Sequence, residues 1–248
     1  MPKVSDLPSR PEFLKVLIYG ESGTGKTYSI STFPDPVYIF DFDRGIETLS
    51  GITPGEFEYD TYAEGSIQGQ PFVQFRKKVA ELRKKCPYKT VVLDSVTTLG
   101  EKAVTSFVRS ASGHMETPLE LQDHLKISDK LSQALDELLG IQANIVVISH
   151  PKVIITEETG EIKYLVMQTG NKLPQRVPLI FDEIYKAERK DSAQGEPKYT
   201  WQTKSDRKWP ARSRFNYIDK GGIKRAVLDS YEEPNLTAIL EKVEKARS

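Results

Sequence analysis

The chain has 248 residues, with 35 Lys and Arg balanced by 35 Asp and Glu, and Cys86 is its single cysteine. This length suits one sizeable α/β domain, so we expect a single domain over 1–248. The balanced charge argues against a basic nucleic-acid coat or an acidic tail, and a lone cysteine excludes an internal disulfide and a Cys-rich metal site. The longest apolar runs are strand-length, far short of the roughly 20 residues that span a membrane. The start lacks a signal-type apolar core, so we expect a cytoplasmic protein without a membrane partner.

Strand and helix patterns alternate along the first 150 residues. A polar arm (1–11) precedes the apolar strand FLKVLIY, and the loop GESGTGKT leads into a helix, TYSISTF, that Pro34 ends. Three further apolar strands follow, PVYIFDFD (36–43), TVVLDS (90–95) and NIVVISH (144–150). An amphipathic helix is indicated around 72–82, and helical patterns over 96–140 are interrupted by a loop at 110–118.

The pattern changes after 150. A hairpin is indicated around ETGE, then FDEIYKAER and PKYTWQTKSD as two strands joined by a polar turn, and a capped amphipathic helix over 235–247. Strands that alternate with helices and then give way to hairpins predict an α/β fold. We expect a mainly parallel sheet, flanked by helices and extended by antiparallel strands.

The loop after the first strand has the composition of a phosphate-binding loop. It fits the pattern G-x-x-x-x-G-K-[ST], with a buried strand before it and a helix after it. Glycines let the backbone approach a polyphosphate, Lys26 reaches the β and γ phosphates, and the Thr27 hydroxyl binds Mg²⁺. We expect Lys26 to be exposed when the loop is empty. ATP and Mg²⁺ are the expected ligands, and the expected nucleotide-binding residues are Gly20, Glu21, Ser22, Gly23, Thr24, Gly25, Lys26, Thr27 and Tyr28.

Carboxylates at strand ends are the candidates for binding the metal ion and for orienting the attacking water. Asp94 ends TVVLD and, with Thr27, is the expected metal ligand. Many P-loop ATPases follow this Asp with a Glu that orients the attacking water, whereas this chain has a serine there. The base is therefore expected in FDFDRGIE, where Asp43 is our prediction and Asp41 and Glu47 remain alternatives. Strand alternation would place Asp41 and Asp43 on the same side.

Two later features are further candidates. His150 ends the fourth strand, where a polar side chain could sense the γ phosphate.

The stretch 198–215 holds the basic residues Lys198, Lys204, Arg207, Lys208, Arg212 and Arg214 between the aromatic residues Tyr199, Trp201, Trp209 and Phe215. It suits stacking on single-stranded bases. Alternatively, the segment donates a basic finger to the ATP of a neighbouring subunit, from Lys204, Arg207 or Arg212, with Arg207 as the first choice. A third interpretation is a solvated hairpin whose Trp residues pack on the sheet.

Taken together, GESGTGKT, DFDRGIE, VVLDS and VVISHPKVI resemble the RecA-like P-loop ATPase core. More narrowly, the chain is similar to compact, phage-encoded AAA-type nucleotide-binding proteins that include single-strand annealing and recombination ATPases. The resemblance implies a Mg²⁺-dependent, DNA-dependent ATPase of recombination, annealing or replication in the host cytoplasm. It further implies binding to single-stranded DNA as a homo-oligomer or filament, with a single-strand DNA-binding protein as an additional partner.

The expected DNA-facing loops of such a core do not resemble a phosphate track. They fall near 110–120 and 151–170, and neither carries a clear excess of positive charge. Two other functions therefore stay open. One is a P-loop kinase of nucleosides or small molecules, and the other is a nucleotide-switched loader or mediator without DNA-stimulated turnover.

Overall fold

A computed structural model describes residues 12–52, 55–62, 70–112, 121–155, 162–166, 177–192, 195–218 and 221–247. The predicted arm at 1–11 and the ETGE turn lie outside the described residues. So does much of each expected DNA-facing loop.

Twelve strands are described, and eight of them form one sheet in the order β12-β9-β8-β1-β5-β4-β2-β3. The strands are β1 Lys15–Tyr19, β2 Val37–Asp41, β3 Phe57–Thr61, β4 Thr90–Asp94, β5 Asn144–Ser149, β6 Pro151–Ile155, β7 Ile162–Val166, β8 Glu183–Ser192, β9 Gly195–Gln202, β10 Asn216–Ile218, β11 Lys224–Ala226 and β12 Tyr231–Glu232. The run from β3 to β8 is parallel, whereas β9 and β12 are antiparallel to their neighbours. The pairs β6–β7 and β10–β11 form separate antiparallel hairpins.

Helices cover both faces of the sheet. They are α1 Lys26–Ser29, α2 Pro71–Lys84, α3 Val96–Ser112, α4 Leu121–Leu139 and α5 Leu236–Arg247. Strand alternation divides the core, because Leu17 packs with α2, α3 and α4 whereas Ile18 packs with α5. The predicted fold class, a mainly parallel sheet flanked by helices and extended by antiparallel strands, is confirmed. No helix in the described ranges is long and apolar enough to cross a membrane.

The helix after the phosphate-binding loop is shorter than the sequence pattern predicts. It ends at Ser29 and continues as a 3₁₀ turn, Ile30–Thr32. The Ser29 hydroxyl donates to the Lys26 carbonyl (2.6 Å) and the Thr32 hydroxyl donates to the Ser29 carbonyl (2.7 Å). Hydroxyl bonds of this kind compete with the helical backbone ladder, which explains the early end.

The second predicted strand is also too long, and one strand was missed. Strand β2 ends at Asp41, because the amides of Phe42 and Asp43 both donate to the Asp94 carbonyl and Arg44 turns the chain with φ 57°. Strand β3 was overlooked because it is a half-exposed edge strand, FEYDT, in which acidic residues interrupt the apolar pattern. TVVLDS is consequently the fourth strand of the chain and NIVVISH the fifth.

Candidate active site

The phosphate-binding loop follows β1 at the carboxyl edge of the parallel strands. Gly23 and Gly25 have φ of 75° and 78°, in the left-handed region that favours glycine. Gly20 is required for a different reason, since a Cβ there would lie 2.6 Å from the Ala187 carbonyl oxygen on β8. The sheet therefore fixes where the loop begins, and the two left-handed glycines set its curvature.

Lys26 is buried, and our expectation that it is exposed in the empty loop is wrong. Only 7% of the residue is accessible, because its Nζ donates to the carbonyl oxygens of Gly20 (2.8 Å) and Glu21 (2.7 Å). Burial lowers the pKa of Lys26, and the nearby carboxylates of Asp94 and Asp43 partly oppose this effect. The ammonium group thus holds the loop closed on itself by bonds that phosphate oxygens can replace.

Thr27 and Asp94 form the predicted metal pair. The Thr27 hydroxyl donates to Asp94 Oδ2 at 2.7 Å, and Asp94 is only 2% exposed. Burial raises the pKa of Asp94 to about 7 despite this hydrogen bond. Gly45 packs closely on the pair, since a Cβ there would lie 3.1 Å from Thr27 Oγ1 and 3.6 Å from Asp94 Oδ2.

These two side chains fit Mg²⁺. They offer hard oxygen ligands, and the buried Asp94 carboxylate lies beside the loop that is built for phosphates. The raised pKa reflects burial of a charge that a bound cation would neutralise. Because Mg²⁺ keeps waters and shares its ligands with phosphate oxygens, two protein side chains are enough.

Asp43 lies across the same cleft and is held by three side chains. Its Oδ1 accepts hydrogen bonds from the hydroxyls of Ser95 (3.0 Å) and Thr98, and its Oδ2 lies 3.2 Å from Nε2 of His150. Burial raises the pKa of Asp43, but the hydrogen bonds from His150, Thr98 and Ser95 outweigh it, so the net pKa lies below the usual value. The carboxylate is therefore ionised and fixed in orientation.

The other two candidate bases lie elsewhere. Asp41 is 1% exposed; its oxygens accept bonds from the Gly45 amide (2.9 Å) and the Thr61 hydroxyl (3.1 Å), and burial raises its pKa. Asp41 therefore shapes the turn that carries Asp43. Because β2 ends at Asp41, strand alternation does not determine where the Asp43 side chain lies, and the expectation that the two carboxylates share one side stays a prediction. Glu47 is exposed and is not among the residues that line the cleft.

His150 connects Asp43 to the following hairpin. Its ring contacts Asp43, its backbone amide donates to the Thr97 hydroxyl (3.1 Å), and Pro151 begins β6 directly after it. The Thr97 hydroxyl also lies 3.2 Å from that of Ser149, within the buried end of β5. The position suits the predicted sensing role, which stays a prediction.

The cleft is large and continues beyond the loop. Its volume is about 1620 Å³, and the lining includes Ser22, Gly23, Gly25, Lys26, Thr27, Tyr28, Asp43, Asp94 and His150. Gly20, Glu21 and Thr24 are not among its lining residues. Sequence reasoning missed Arg44, Thr98, Lys102 and Arg189, which also line it. Thr98 and Lys102 share one face of α3, a spacing of four residues that could have revealed them.

Tyr199 and Tyr28 are exposed rings in this cleft. Tyr28 is 55% exposed and follows Thr27 directly, whereas Tyr199 on β9 is 36% exposed. The Tyr199 ring packs on the loop, since a Cβ at Gly25 would lie 3.1 Å from its Cδ1. Two exposed aromatic faces beside a phosphate-binding loop can stack on a nucleotide base.

Three of the four aromatic residues in 198–215 pack within the fold. Trp201 is 1% exposed and stacks on Tyr185, with ring centroids 5.3 Å apart, and Phe215 is 3% exposed. Trp209 stacks on Tyr164 with centroids 3.7 Å apart. The prediction of base stacking is therefore wrong for Trp201 and Phe215, which the sheet buries.

The predicted basic finger residues are outside the cleft of their own chain. Arg207 is exposed in the loop after β9 and does not line the cleft. Lys204 is exposed in the same loop, whereas Arg212 donates to the Phe181 carbonyl at 2.6 Å. The predicted role of Arg207 at the ATP of a neighbouring subunit stays a prediction.

Comparison with known proteins identifies the family. The model of the AAA_24 family, described as an AAA domain, matches residues 12–215. A search of the curated proteins finds no match.

Three solved structures are among those to which this chain is similar. A KaiC-like protein from the archaeon Pyrococcus horikoshii OT3 is 16% identical over 86% of this chain and 89% of its own, with a TM-score of 0.47. The flagellar accessory protein FlaH from Methanocaldococcus jannaschii is 12% identical over 77% and 78%, with a TM-score of 0.41.

The third is an ATPase of the type III secretion system of pathogenic bacteria, 15% identical over 71% of this chain, with a TM-score of 0.43. This chain spans 52% of the secretion ATPase. The family match covers residues 12–215, which is more than half of this chain. The chain therefore belongs to the AAA_24 family of AAA domains.

Proposed function

We propose that the protein hydrolyses Mg·ATP with Asp43 as the base and couples this turnover to single-stranded DNA, in phage recombination, annealing or replication. The carrying observation is that one cleft joins Lys26, the Thr27–Asp94 pair and the ionised Asp43. In this reaction a water oxygen bonds to the γ phosphorus while the bond from that phosphorus to the bridging oxygen of ADP breaks. Asp43 accepts the proton of the attacking water.

Different residues bind the phosphates, hold the metal ion and orient the base in this step. Lys26 exchanges the carbonyls of Gly20 and Glu21 for phosphate oxygens, and thereby converts a closed loop into a phosphate cradle. Mg²⁺, held by Thr27 and Asp94, would neutralise charge on the phosphates. Hydrogen bonds from Ser95 and Thr98 keep the Asp43 carboxylate from rotating away from the water.

A base-binding role for Tyr199 and Tyr28 extends this proposal. The loop binds phosphates of any nucleotide, whereas aromatic rings contact the base and add affinity by stacking. Tyr199 packs against the loop itself, so a base over its ring would lie close to the triphosphate.

The DNA part of the proposal rests on the surface next to His150. Hairpin β6–β7 begins there, and the Tyr164 amide donates to the Lys208 carbonyl at 3.0 Å. Lys204, Arg207 and Lys208 are exposed in the loop that this contact anchors. We propose that this loop contacts DNA phosphates, or that Arg207 enters the ATP site of a neighbouring subunit in a homo-oligomer.

Measuring ATP turnover with and without a poly-dT oligonucleotide tests the proposal. We expect Mg²⁺-dependent phosphate release that the oligonucleotide stimulates. Phosphate transfer to a nucleoside would indicate a kinase instead, and tight Mg·ATP binding without turnover would indicate a nucleotide-switched loader. Turnover that DNA leaves unchanged would refute the coupling but not the ATPase.

A further inference from the structure

A second groove lies on the face of the sheet that α2, α3 and α4 cover, away from the nucleotide cleft. It is a cavity of about 520 Å³ between α2, α3 and α4, and it shares no lining residue with the nucleotide cleft. Its lining residues are Gln70, Phe72, Val73, Arg76, Lys77, Ala80, Arg83, Ser106, Lys130 and Glu137. A volume in this range is enough for several side chains of a partner.

The groove combines positive charge with an apolar strip. Among the described residues that line it, four are Lys or Arg and Glu137 is the single acid. The whole chain has equal numbers of basic and acidic residues, so this excess is local. Val73 is 52% exposed and Ala80 is exposed, one α2 heptad apart and therefore on the same side of the helix.

Part of this surface is fixed in position. Arg76 donates to both carboxylate oxygens of Glu137, through Nε at 3.0 Å and through Nη2, which ties α2 to α4. Arg83 lies over the end of α4, since a Cβ at Gly140 would lie 3.2 Å from its Nε. The shape of the groove is thus set by contacts between packed helices, and the exposed cations Lys77 and Arg83 lie on α2.

We propose that this groove binds an acidic peptide segment of a partner protein, with an apolar side chain placed on Val73 and Ala80. Charge complementarity favours an anionic occupant, and the apolar strip favours a peptide over a nucleic-acid backbone. The lining stretch of α2 runs from Phe72 to Arg83 and is about 17 Å long, which matches about five residues of extended peptide.

The test uses the full chain and a fluorescein-labelled peptide of mostly Asp and Glu residues with a central pair of Leu. The same peptide with Lys in place of each acid is the charge control, and a poly-dT oligonucleotide is the competitor. Fluorescence anisotropy is expected to show saturable binding of the acidic peptide alone. The affinity should fall as salt rises above about 0.15 M, because the contacts are partly exposed.

Two matched variants locate the site. Lys77→Glu combined with Arg83→Glu should weaken peptide binding about tenfold or more, as expected for two reversed ion pairs. Lys84→Glu combined with Lys85→Glu, which makes the same charge change outside the groove, should change it less than about twofold. Val73→Asp should also weaken binding, while ATP turnover stays at the wild-type rate in all three variants.

Three results would overturn the proposal. One is no saturable binding of the acidic peptide, and another is an equal loss in the Lys84→Glu, Lys85→Glu control. The third is displacement of the peptide by poly-dT together with loss of poly-dT binding in the Lys77→Glu, Arg83→Glu variant, which would make the groove a nucleic-acid surface. Each result leaves the ATPase proposal standing, because the nucleotide cleft is separate.

Discussion

Replacing Asp43 with Asn should stop ATP hydrolysis while sparing ATP binding. The substitution preserves the size of the side chain but removes the negative charge and the group that accepts a proton from water. The hydroxyls of Ser95 and Thr98 can rotate to accept from the new amide, and the His150 ring can bond to it in either tautomer. We therefore expect the fold to persist.

The expected loss follows from what Asp43 contributes. Removal of a positioned general base typically costs about 10²- to 10⁴-fold in rate. This range corresponds to about 3 to 5 kcal/mol of activation free energy. ATP affinity should change by less than about threefold, because Lys26 and the loop glycines are untouched and one negative charge near the phosphates is lost.

The matched control is Glu47→Gln, because it makes the same chemical change in the turn that follows Asp43. Glu47 is exposed and outside the cleft lining, so this variant should turn over ATP at the wild-type rate. Phosphate release gives kcat, and calorimetric titration with a non-hydrolysable ATP analogue gives affinity. Asp43 is not the base if the Asp43→Asn variant retains more than about a tenth of wild-type kcat. The same conclusion follows if kcat of the Glu47→Gln variant falls as far as that of Asp43→Asn.

Four further predictions address other parts of the site. Asp94→Asn should abolish Mg²⁺-dependent ATP binding yet stabilise the metal-free protein at pH 8. The pKa of Asp94 is about 7 in the folded protein and 3.8 in the unfolded chain. The wild-type protein therefore loses folding stability as pH rises from about 4 to 7, because the buried carboxyl must ionise, and the Asn variant avoids this loss. Thermal unfolding should show that the variant gains about 4 kcal/mol over the wild type at pH 8 and little at pH 4, and an equal gain at both pH values would contradict the burial argument. Lys26→Ala should lose ATP binding by calorimetry with native circular dichroism, and normal hydrolysis by this variant would refute its role. Tyr199→Ala should weaken ATP binding at least about fivefold but leave the binding of inorganic tripolyphosphate unchanged, as expected for one lost stacking contact. Tyr59→Ala is the control and should change neither, because Tyr59 is an exposed tyrosine on β3 outside the cleft lining. Equal weakening of both ligands by Tyr199→Ala would indicate that the ring only supports the loop. Arg207→Ala should lose turnover and regain part of it when mixed with Lys26→Ala subunits, whereas no rescue would favour direct DNA contact.

Local sequence patterns were sufficient for the phosphate-binding loop and for most strands of the sheet. The strand before the loop, its glycines and Lys26 lie within a dozen residues, so their arrangement follows from short-range geometry. The strand Thr90–Asp94 is fully buried in the sheet, as its unbroken apolar run indicates. Strand β3 escaped detection because an edge strand with one exposed face has a weaker apolar pattern.

Long-range contacts decided what the sequence left open. The choice between Asp41 and Asp43 depends on hydrogen bonds to residues far along the chain, Thr61 for the former and His150 for the latter. No local pattern shows such partners. The burial of Lys26 likewise depends on how the empty loop folds back on its own carbonyls.

The aromatic residues of 198–215 illustrate a second limit. Interleaved basic and aromatic residues favour nucleic-acid binding in a sequence, but aromatic residues of a strand also pack inside the fold. Trp201 is buried in β9, where it stacks on Tyr185, whereas Tyr199, two residues earlier in the same strand, is in the nucleotide cleft. Only the pairing of β9 with β8 separates these roles.

Calorimetric titration of the Asp43→Asn protein with ATP, with and without Mg²⁺, tests the central claim most directly. If Lys26, Thr27 and Asp94 hold a triphosphate and its metal, binding will be saturable with one ATP per chain, and removing Mg²⁺ will weaken it at least about tenfold. Absence of binding, or an affinity that Mg²⁺ does not change, would contradict the assignment of this cleft.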